Sequence, residues 1–267
     1  MPRKPRYLLC PPDHFRVEYA INPWMGGTVD SALAHSQWFE LEDAIIRAGG
    51  DVAVIAPSVD LPDMVFAANA GAVKDGRVVL SNYRYPERKP EAIEYERWFK
   101  SEGFTVNKLP PLMYFEGCGD VEFVGDVMVA GHGFRSDLPS ITMAARILGA
   151  SDFVPLKLVD QRFYHLDTCF LYLGGPKKRA LYWPGAFDPA GLRALGSVVN
   201  LRPISEVEAM QFVCNSVVIG DTIIMPQNTA PVTDWLRSEG WHVVMIDTSE
   251  FMKAGGSLRC LSLDVNK

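Results

Sequence analysis

The sequence predicts an α/β fold: five ββαβ repeats set about an axis as a five-bladed α/β propeller, strands inside and helices outside. Three observations predict it. Five helix-like segments each end at a glycine, at 49, 103, 149, 196 and 240, so the stops lie 54, 46, 47 and 44 residues apart. Each glycine is followed by a short apolar strand, a loop, and a second apolar segment with one polar interruption. A hairpin partner then follows in the first four repeats, and the N-terminal segment Arg6–Cys10 can supply the fifth and close the ring. A fixed period recurring five times marks a closed repeat architecture, because one unit cannot bury its apolar face alone and five about an axis can.

The helices come first. Asp30 to Ala48 sets Leu33, Trp38, Leu41 and Ile45 on roughly one face, the spacing of an amphipathic helix. Pro90 to Glu102 carries Ile93, Trp98 and Phe99, and Asp137 to Leu148 stops at Gly149. Asp188 to Leu195 has Pro189 in its first turn, where the missing N–H is no loss. Thr229 to Glu239 carries Val232, Trp235 and Leu236. The strands after the helices are Asp51–Ile55, Phe104–Val106, Phe153–Leu156, Val198–Leu201 and Trp241–Ile246. The interrupted segments are 65–71, 115–120, 164–168, 212–216 and 258–260. Their hairpin partners are Arg77–Leu80, Val127–Ala130, Ala180–Trp183 and Thr222–Met225. These follow Asp75-Gly76, Gly125-Asp126, Gly174-Gly175 and Gly220-Asp221, which suit tight hairpin turns. Near the end, Gly255-Gly256 permits positive φ and close backbone approach, and Cys260 is expected to open a short strand over 261–265.

The 267 residues allow one large or two small domains, and the repeat makes a single domain over 1–267 the expectation. Hydrophobic residues are 48% and charged residues 22%, the balance of an ordinary globular protein. Net charge is −6, and no block of Lys or Arg is long enough for a nucleic-acid or membrane-surface partner. The most basic run, Lys177-Lys178-Arg179, fits a hairpin turn. No apolar run reaches the length of a membrane span, and the basic N-terminus lacks the apolar stretch of a signal peptide. The five cysteines, at 10, 118, 169, 214 and 260, are an odd and widely spaced set, so reduced thiols in a cytoplasmic protein are expected. There is no Cys-x-x-Cys and no His-Glu-x-x-His, so no metal is expected. There is no Gly-x-Gly-x-x-Gly after a strand and no P-loop, so no dinucleotide, ATP or other cofactor is expected.

The repeat sends its polar interruptions, at 69, 116–120, 165–167, 215 and 260, to one end of the axis. Glu116, Asp120, His165, Asp167 and Cys260 then meet from distant stretches. Such a set suits a cationic substrate attacked by a thiolate. Carboxylates hold the cation. Histidine, whose ordinary titration lies near neutrality, moves protons, and sulfur attacks an electrophilic carbon. A guanidinium fits, being planar, cationic and bidentate toward carboxylates. Polar residues at strand ends also serve structure alone, and that role is assigned to Asn215, Cys118, Cys169 and Cys214.

Three motifs carry a family likeness: Phe115-Glu-Gly-Cys-Gly-Asp120, Tyr164-His-Leu-Asp-Thr168 and Gly255-Gly-Ser-Leu-Arg-Cys260. With them the sequence resembles the pentein superfamily of guanidine-modifying enzymes, which includes arginine deiminases, dimethylarginine dimethylaminohydrolases and amidinotransferases. It is also similar to the ammonia-forming arginine dihydrolase group, essentially end to end. That likeness rests on Cys10-Pro-Pro-Asp-His14, Ile21-Asn-Pro-Trp-Met25, Pro62–Gly71, Gly133-Phe-Arg-Ser136 and Arg162–Phe170.

The resemblance implies roles. Cys260 would be the nucleophile, His165 the general acid and base, and Glu116 the catalytic carboxylate. Asp167 would grip the guanidinium. Asn69 stands where deiminases and dimethylarginine hydrolases usually carry aspartate, a departure shared with the dihydrolases. Asn22, Asp63, Arg88 and Arg135 would bind the amino-acid end, since an arginine suits an α-carboxylate through two parallel hydrogen bonds. Asp120 either joins the substrate ligands or anchors its own loop. Arg88 lies in the polar loop Arg84–Lys89, where a surface residue also fits, and Arg135 precedes a helix capped by Ser136 or Asp137.

The implied reaction is arginine dihydrolysis through a covalent thiouronium, giving ornithine, carbon dioxide and two ammonia. Arginine or a related guanidino compound is the expected small-molecule partner, and a homo-oligomer the expected assembly. Arginine deiminase and dimethylarginine dimethylaminohydrolase are the alternatives, ahead of an amidinotransferase or a non-catalytic binding module of this fold.

Overall fold

The computed structural model describes residues 4–227 and 230–266. The chain opens with β1 (Arg6–Leu9), α1 (Ser31–Arg47) and β2 (Asp51–Val54). The next repeat is β3 (Gly71–Lys74), β4 (Arg77–Leu80), α2 (Glu91–Ser101) and β5 (Thr105–Asn107). It is followed by β6 (Val121–Val124), β7 (Val127–His132), α3 (Leu138–Leu148) and β8 (Asp152–Lys157). Then come β9 (Phe170–Gly174), β10 (Arg179–Tyr182), α4 (Pro189–Gly196) and β11 (Asn200–Pro203). A short α5 (Glu206–Met210) leads to β12 (Val217–Ile219), β13 (Thr222–Pro226), α6 (Ala230–Ser238) and β14 (His242–Ile246). The chain closes with α7 (Ser249–Met252), α8 (Leu258–Leu261) and β15 (Leu263–Asp264).

The described residues form five three-stranded sheets, wired alike. In four of them a hairpin pairs antiparallel, and its second strand pairs parallel with the strand beyond the helix: β3-β4-β5, β6-β7-β8, β9-β10-β11 and β12-β13-β14. A parallel pair needs a crossover, and one helix supplies it each time. In the fifth, β15 lies antiparallel to β1 with Asp264 opposite Tyr7, and β1 lies parallel to β2. The N-terminal strand therefore completes the last repeat.

Helix starts follow their caps. Asp30 accepts from the Leu33 N–H at 3.1 Å and Asp188 from the Gly191 N–H at 3.1 Å, each satisfying a donor that the first turn leaves open. Four of the glycine stops take positive φ, at 49, 103, 149 and 240, whereas α4 runs through Gly196 and ends on Ser197. Leu33 and Ile93, expected on inner faces, are exposed. In α2 the buried stripe is Glu91, Tyr95 and Phe99, which turns Ile93 outward. The expected start of the last long helix, Thr229, lies outside the described residues. No helix among the described residues is long and apolar enough to cross a membrane. One apolar cluster packs Trp38, Leu41 and Ile45 of α1 against Phe66, Phe251, Leu258, Leu261 and Cys260.

The polar interruptions do not sit in the strands. Each lies in, or at the head of, a tight turn just before the first strand of a repeat. Asn69 is within the 3-10 turn Ala67–Ala70 before β3. Glu116 precedes the turn Gly117–Gly119 before β6, and His165 precedes Leu166–Thr168 before β9. Asn215 comes just before β12. Cys260 lies in helix α8, so the strand expected over 261–265 is cut down to Leu263–Asp264. A buried turn of small apolar residues such as Ala67, Ala68 and Ala70 gives the same short apolar run as a buried strand, and periodicity does not separate the two.

Candidate active site

Six of the expected residues, Asn22, Asp63, Asn69, Arg88, Arg135 and Cys260, line one cavity with Phe66, Tyr164 and Gly256. Its free volume of about 10 Å³ holds little more than a water. The roomier groove between α1 and β14, about 330 Å³, is lined by Glu40, Asp43, Arg47 and His242 and contains no cysteine. The expected close approach at Gly255-Gly256 is present. Gly255 has φ +84°, a Cβ there would stand 2.7 Å from Asn22 Oδ1, and a Cβ on Gly256 would collide with the Phe66 ring.

Cys260 is buried in the four-residue α8, far too short to persist alone. Leu258 and Leu261 are fully buried and anchor it, and each such burial contributes roughly 1.5–3 kcal/mol. The Cys260 Sγ–H donates to Asp167 Oδ2 at 3.3 Å, and Asn215 Nδ2 donates to the sulfur at 3.1 Å. The other oxygen, Asp167 Oδ1, is buried with no hydrogen-bond partner among the described residues. Burial pushes the Asp167 carboxyl up to about 7, against the hydrogen bond from Cys260 and the attraction of Arg259. Burial, with Asp167 adding to it, also pushes the Cys260 thiol well up. The resting pair therefore keeps its proton. A cation arriving at Oδ1 would favour the charged forms of both groups.

Glu116 is fully buried. Its Oε2 lies 2.9 Å from both His165 Nε2 and Arg135 Nη1, and its Oε1 accepts from the Arg84 N–H at 3.1 Å. Burial opposes its charge, but Arg135 and His165 outweigh burial and hold the carboxyl well below the usual carboxylate range. An ionised carboxylate only accepts, so His165 Nε2 carries the proton in this contact.

Asp120, expected either among the substrate ligands or as the anchor of its own loop, makes the contacts of an anchor. Its Oδ2 accepts from the Ser136 hydroxyl at 2.7 Å and its Oδ1 from the Leu166 N–H at 3.2 Å. Ser136 in turn accepts from the Glu116 N–H at 3.0 Å. Each oxygen takes a protein donor, so Asp120 braces the turns that carry Glu116 and His165. Burial pushes its carboxyl up to about 6.

Arg88 is not a surface residue. It is 3% exposed, donates from Nε and Nη2 to the two Glu91 oxygens at 2.8 Å each, and from Nη1 to Asn69 Oδ1 at 2.8 Å. Arg135 is equally buried, lies between the Tyr85 and Tyr164 rings at 4.7 Å from each, and donates from Nη2 to the Ile21 C=O at 2.9 Å. Asp63 adds a second buried oxygen without a partner among the described residues, Oδ1, and burial raises its carboxyl. Asn69 also donates from Nδ2 to the Glu116 C=O at 3.3 Å, so its amide bridges Arg88 and Glu116. Asn22 donates to the Ala254 C=O at 3.0 Å and accepts from the Trp24 N–H at 2.9 Å, which ties loop 21–25 to the glycine turn.

Two residues with no expected part in the site complete the arrangement: Glu91, which the sequence does not mark, on Arg88, and Asn215, expected to serve structure alone, on the sulfur. Asn215 did carry a signal. It occupies the place in its repeat that Asn69, Glu116, His165 and Cys260 occupy in theirs. The whole is a thiol in contact with a carboxylate, an imidazole oriented by a second carboxylate, and two buried arginines and an aspartate at the same cavity.

A family model described as N,N dimethylarginine dimethylhydrolase, eukaryotic, matches residues 26–267. The chain is 40% identical over 270 residues to the bifunctional arginine dihydrolase/ornithine cyclodeaminase ArgZ of Synechocystis sp., which covers 98% of this chain but only 38% of that protein. It is 37% identical over 268 residues to the N(G),N(G)-dimethylarginine dimethylaminohydrolase of Mycobacterium tuberculosis, covering 99% of this chain and 87% of the relative. The crystal structure of the N-terminal domain of ArgZ bound to its substrate superposes with a TM-score of 0.95 at 40% identity, covering 99% of each chain. The chain belongs to the dimethylarginine dimethylhydrolase family of the guanidine-modifying pentein superfamily.

Proposed function

We propose that this chain hydrolyses the guanidino group of arginine twice, as an arginine dihydrolase with Cys260 as nucleophile. The observation that carries the reading is the buried Cys260–Asp167 pair, with one carboxylate oxygen left for a cation. The guanidinium pairs with Asp167. Arg88 and Arg135 suit an α-carboxylate, and Asp63 suits an α-ammonium. The sulfur gives up its proton to His165 and attacks the guanidinium carbon. His165, oriented by Glu116, gives a proton to the departing nitrogen. Ammonia leaves, and a thiouronium remains on Cys260. Water gives a proton to His165 and adds to that carbon, the C–S bond breaks, and a ureido group is left.

A second sulfur attack expels a second ammonia, and hydrolysis leaves a carbamate that loses carbon dioxide. In all, arginine and two waters become ornithine, carbon dioxide and two ammonia. The cavity is much smaller than arginine, so binding must displace side chains that line it. The Synechocystis relative, named in part an arginine dihydrolase, and its substrate-bound N-terminal domain support the reading. The chain spans 38% of that relative, and only the dihydrolase part of its name is proposed here.

The family model and the Mycobacterium tuberculosis relative favour a second reading, release of dimethylamine from dimethylarginine. Product analysis separates the two. With arginine, dihydrolysis yields two ammonia and one ornithine and little free citrulline. Stoichiometric citrulline would make the chain a deiminase. Dimethylamine from dimethylarginine, with arginine untouched, would favour the second reading.

A further inference from the structure

One side chain joins every part of the nucleophile's mount. Asn215 is fully buried. Its Oδ1 accepts from the backbone N–H groups of Ser257 and Arg259 at 3.1 Å and of Cys260 at 3.2 Å. A helix start leaves such donors open. Ser257 stands at the cap position of α8 but does not cap with its side chain, because its hydroxyl is bonded to Thr248 at 2.7 Å. The cap comes instead from 42 residues upstream. The Asn215 Nδ2 serves Cys260 Sγ at 3.1 Å and the Asp167 C=O at 3.2 Å. A single amide thus touches the thiol, its helix, and the residue whose carboxylate accepts from the thiol.

The chain is bent to place it there. The Asn215 N–H donates to the Phe212 C=O at 2.8 Å, and Phe212 has φ +58°, left-handed backbone that a bulky side chain rarely takes. Phe212 is buried and packs edge-on against Trp24 at 4.7 Å. Backbone of this kind persists only where its surroundings enforce it, and it clusters at functional sites.

We propose that Asn215 is the positioning residue of the nucleophile: its oxygen fixes the helix that carries Cys260, and its nitrogen gives the sulfur a hydrogen bond that survives the loss of the proton. This rests on the assignment of Cys260 made above. Asp167 does not fill that role, because an ionised carboxylate only accepts and repels a thiolate. The titration of the thiol points the same way. Burial and Asp167 push it up, while hydrogen bonds from the Ser257 backbone and Asn215 pull it down.

Asn215→Asp keeps the size and a capping oxygen but turns the donor toward sulfur into an acceptor. Alkylation of Cys260 by iodoacetamide at about pH 8 should slow about tenfold or more, and its pH midpoint should rise, read by mass on the Cys260 peptide. For arginine, kcat should fall with the same pH shift while KM stays near the wild-type value. An unchanged alkylation profile in the folded variant overturns the proposal. In the wild type, the Ser257, Arg259 and Cys260 amides should resist hydrogen exchange as strongly as those of β13. Fast exchange there overturns the cap, whether or not the variant folds. Turnover that survives Cys260→Ser would remove the nucleophile and this inference together. An inactive Cys260→Ser beside an unaltered Asn215→Asp removes the inference alone.

Discussion

Glu116→Gln alters one atom type in a buried cluster. Glutamine can still accept from Arg135, but the charge that faces Arg135 and His165 is gone. Removing one partner of a buried ion pair costs roughly 3–5 kcal/mol, and the retained hydrogen bond places this variant at about 3 kcal/mol. Urea unfolding at neutral pH reads that loss. The pH dependence follows from the direction of the shift. The Glu116 carboxyl is held below its usual value, so its contribution is present above roughly pH 4.3 and is lost as pH falls toward its folded value. The stability gap between wild type and Glu116→Gln should therefore be full at neutral pH and close in acid. Turnover should fall by about 10²-fold or more, since His165 loses the anion that orients it. A gap that stays constant into acid would refute the charged role, and turnover within a few fold of wild type would refute the orienting one.

Cys260→Ser should abolish ammonia release while calorimetry still detects arginine binding, because a hydroxyl without a tuned base is a far poorer nucleophile. Asp167→Asn should lose turnover yet melt higher than wild type at alkaline pH. The Asp167 carboxyl is raised to about 7, so the stability of its protonated form is lost as pH rises through that value, and the amide escapes the loss. Equal melting curves across that range would show that Asp167 is not strained by burial. Asn69→Asp would pair more strongly with Arg88, could no longer donate to the Glu116 carbonyl, and would lose the neutral amide that suits a ureido group. Its product should shift from ornithine toward citrulline with arginine consumption retained, read by amino-acid chromatography, and an unchanged product ratio would remove Asn69 from the second round.

The repeat was legible because its grammar is local. Glycine stops, hairpin turns and short apolar strands recur at a near-constant spacing, and the sheets keep that order with the N-terminal strand completing the fifth. The convergence of Asn69, Glu116, His165 and Cys260 followed from equivalent positions in the repeat. What escaped was the local form of those positions. Cys260 reads as the head of a strand because Leu261, Leu263 and Val265 alternate, yet a tertiary cap from Asn215 and the burial of Leu258 and Leu261 hold it in a helical turn. Asn215 was assigned to structure, since one amide shows nothing in sequence of the three backbone donors and the sulfur it will meet. The polar loop around Arg88 suits a ligand for the amino-acid end and a surface arginine alike, and only its buried pairing with Glu91, three residues on, decides against the surface.

In the proposed reaction Cys260 forms a covalent bond with the guanidino carbon. Rapid acid quench of wild-type enzyme turning over arginine, followed by peptide mass analysis, tests it directly. A transient adduct should appear on the peptide that contains Cys260, with carbon from the guanidino group, and be absent in Cys260→Ser. Ammonia released at full rate with no adduct at any quench time, or with the adduct on another cysteine, would contradict it.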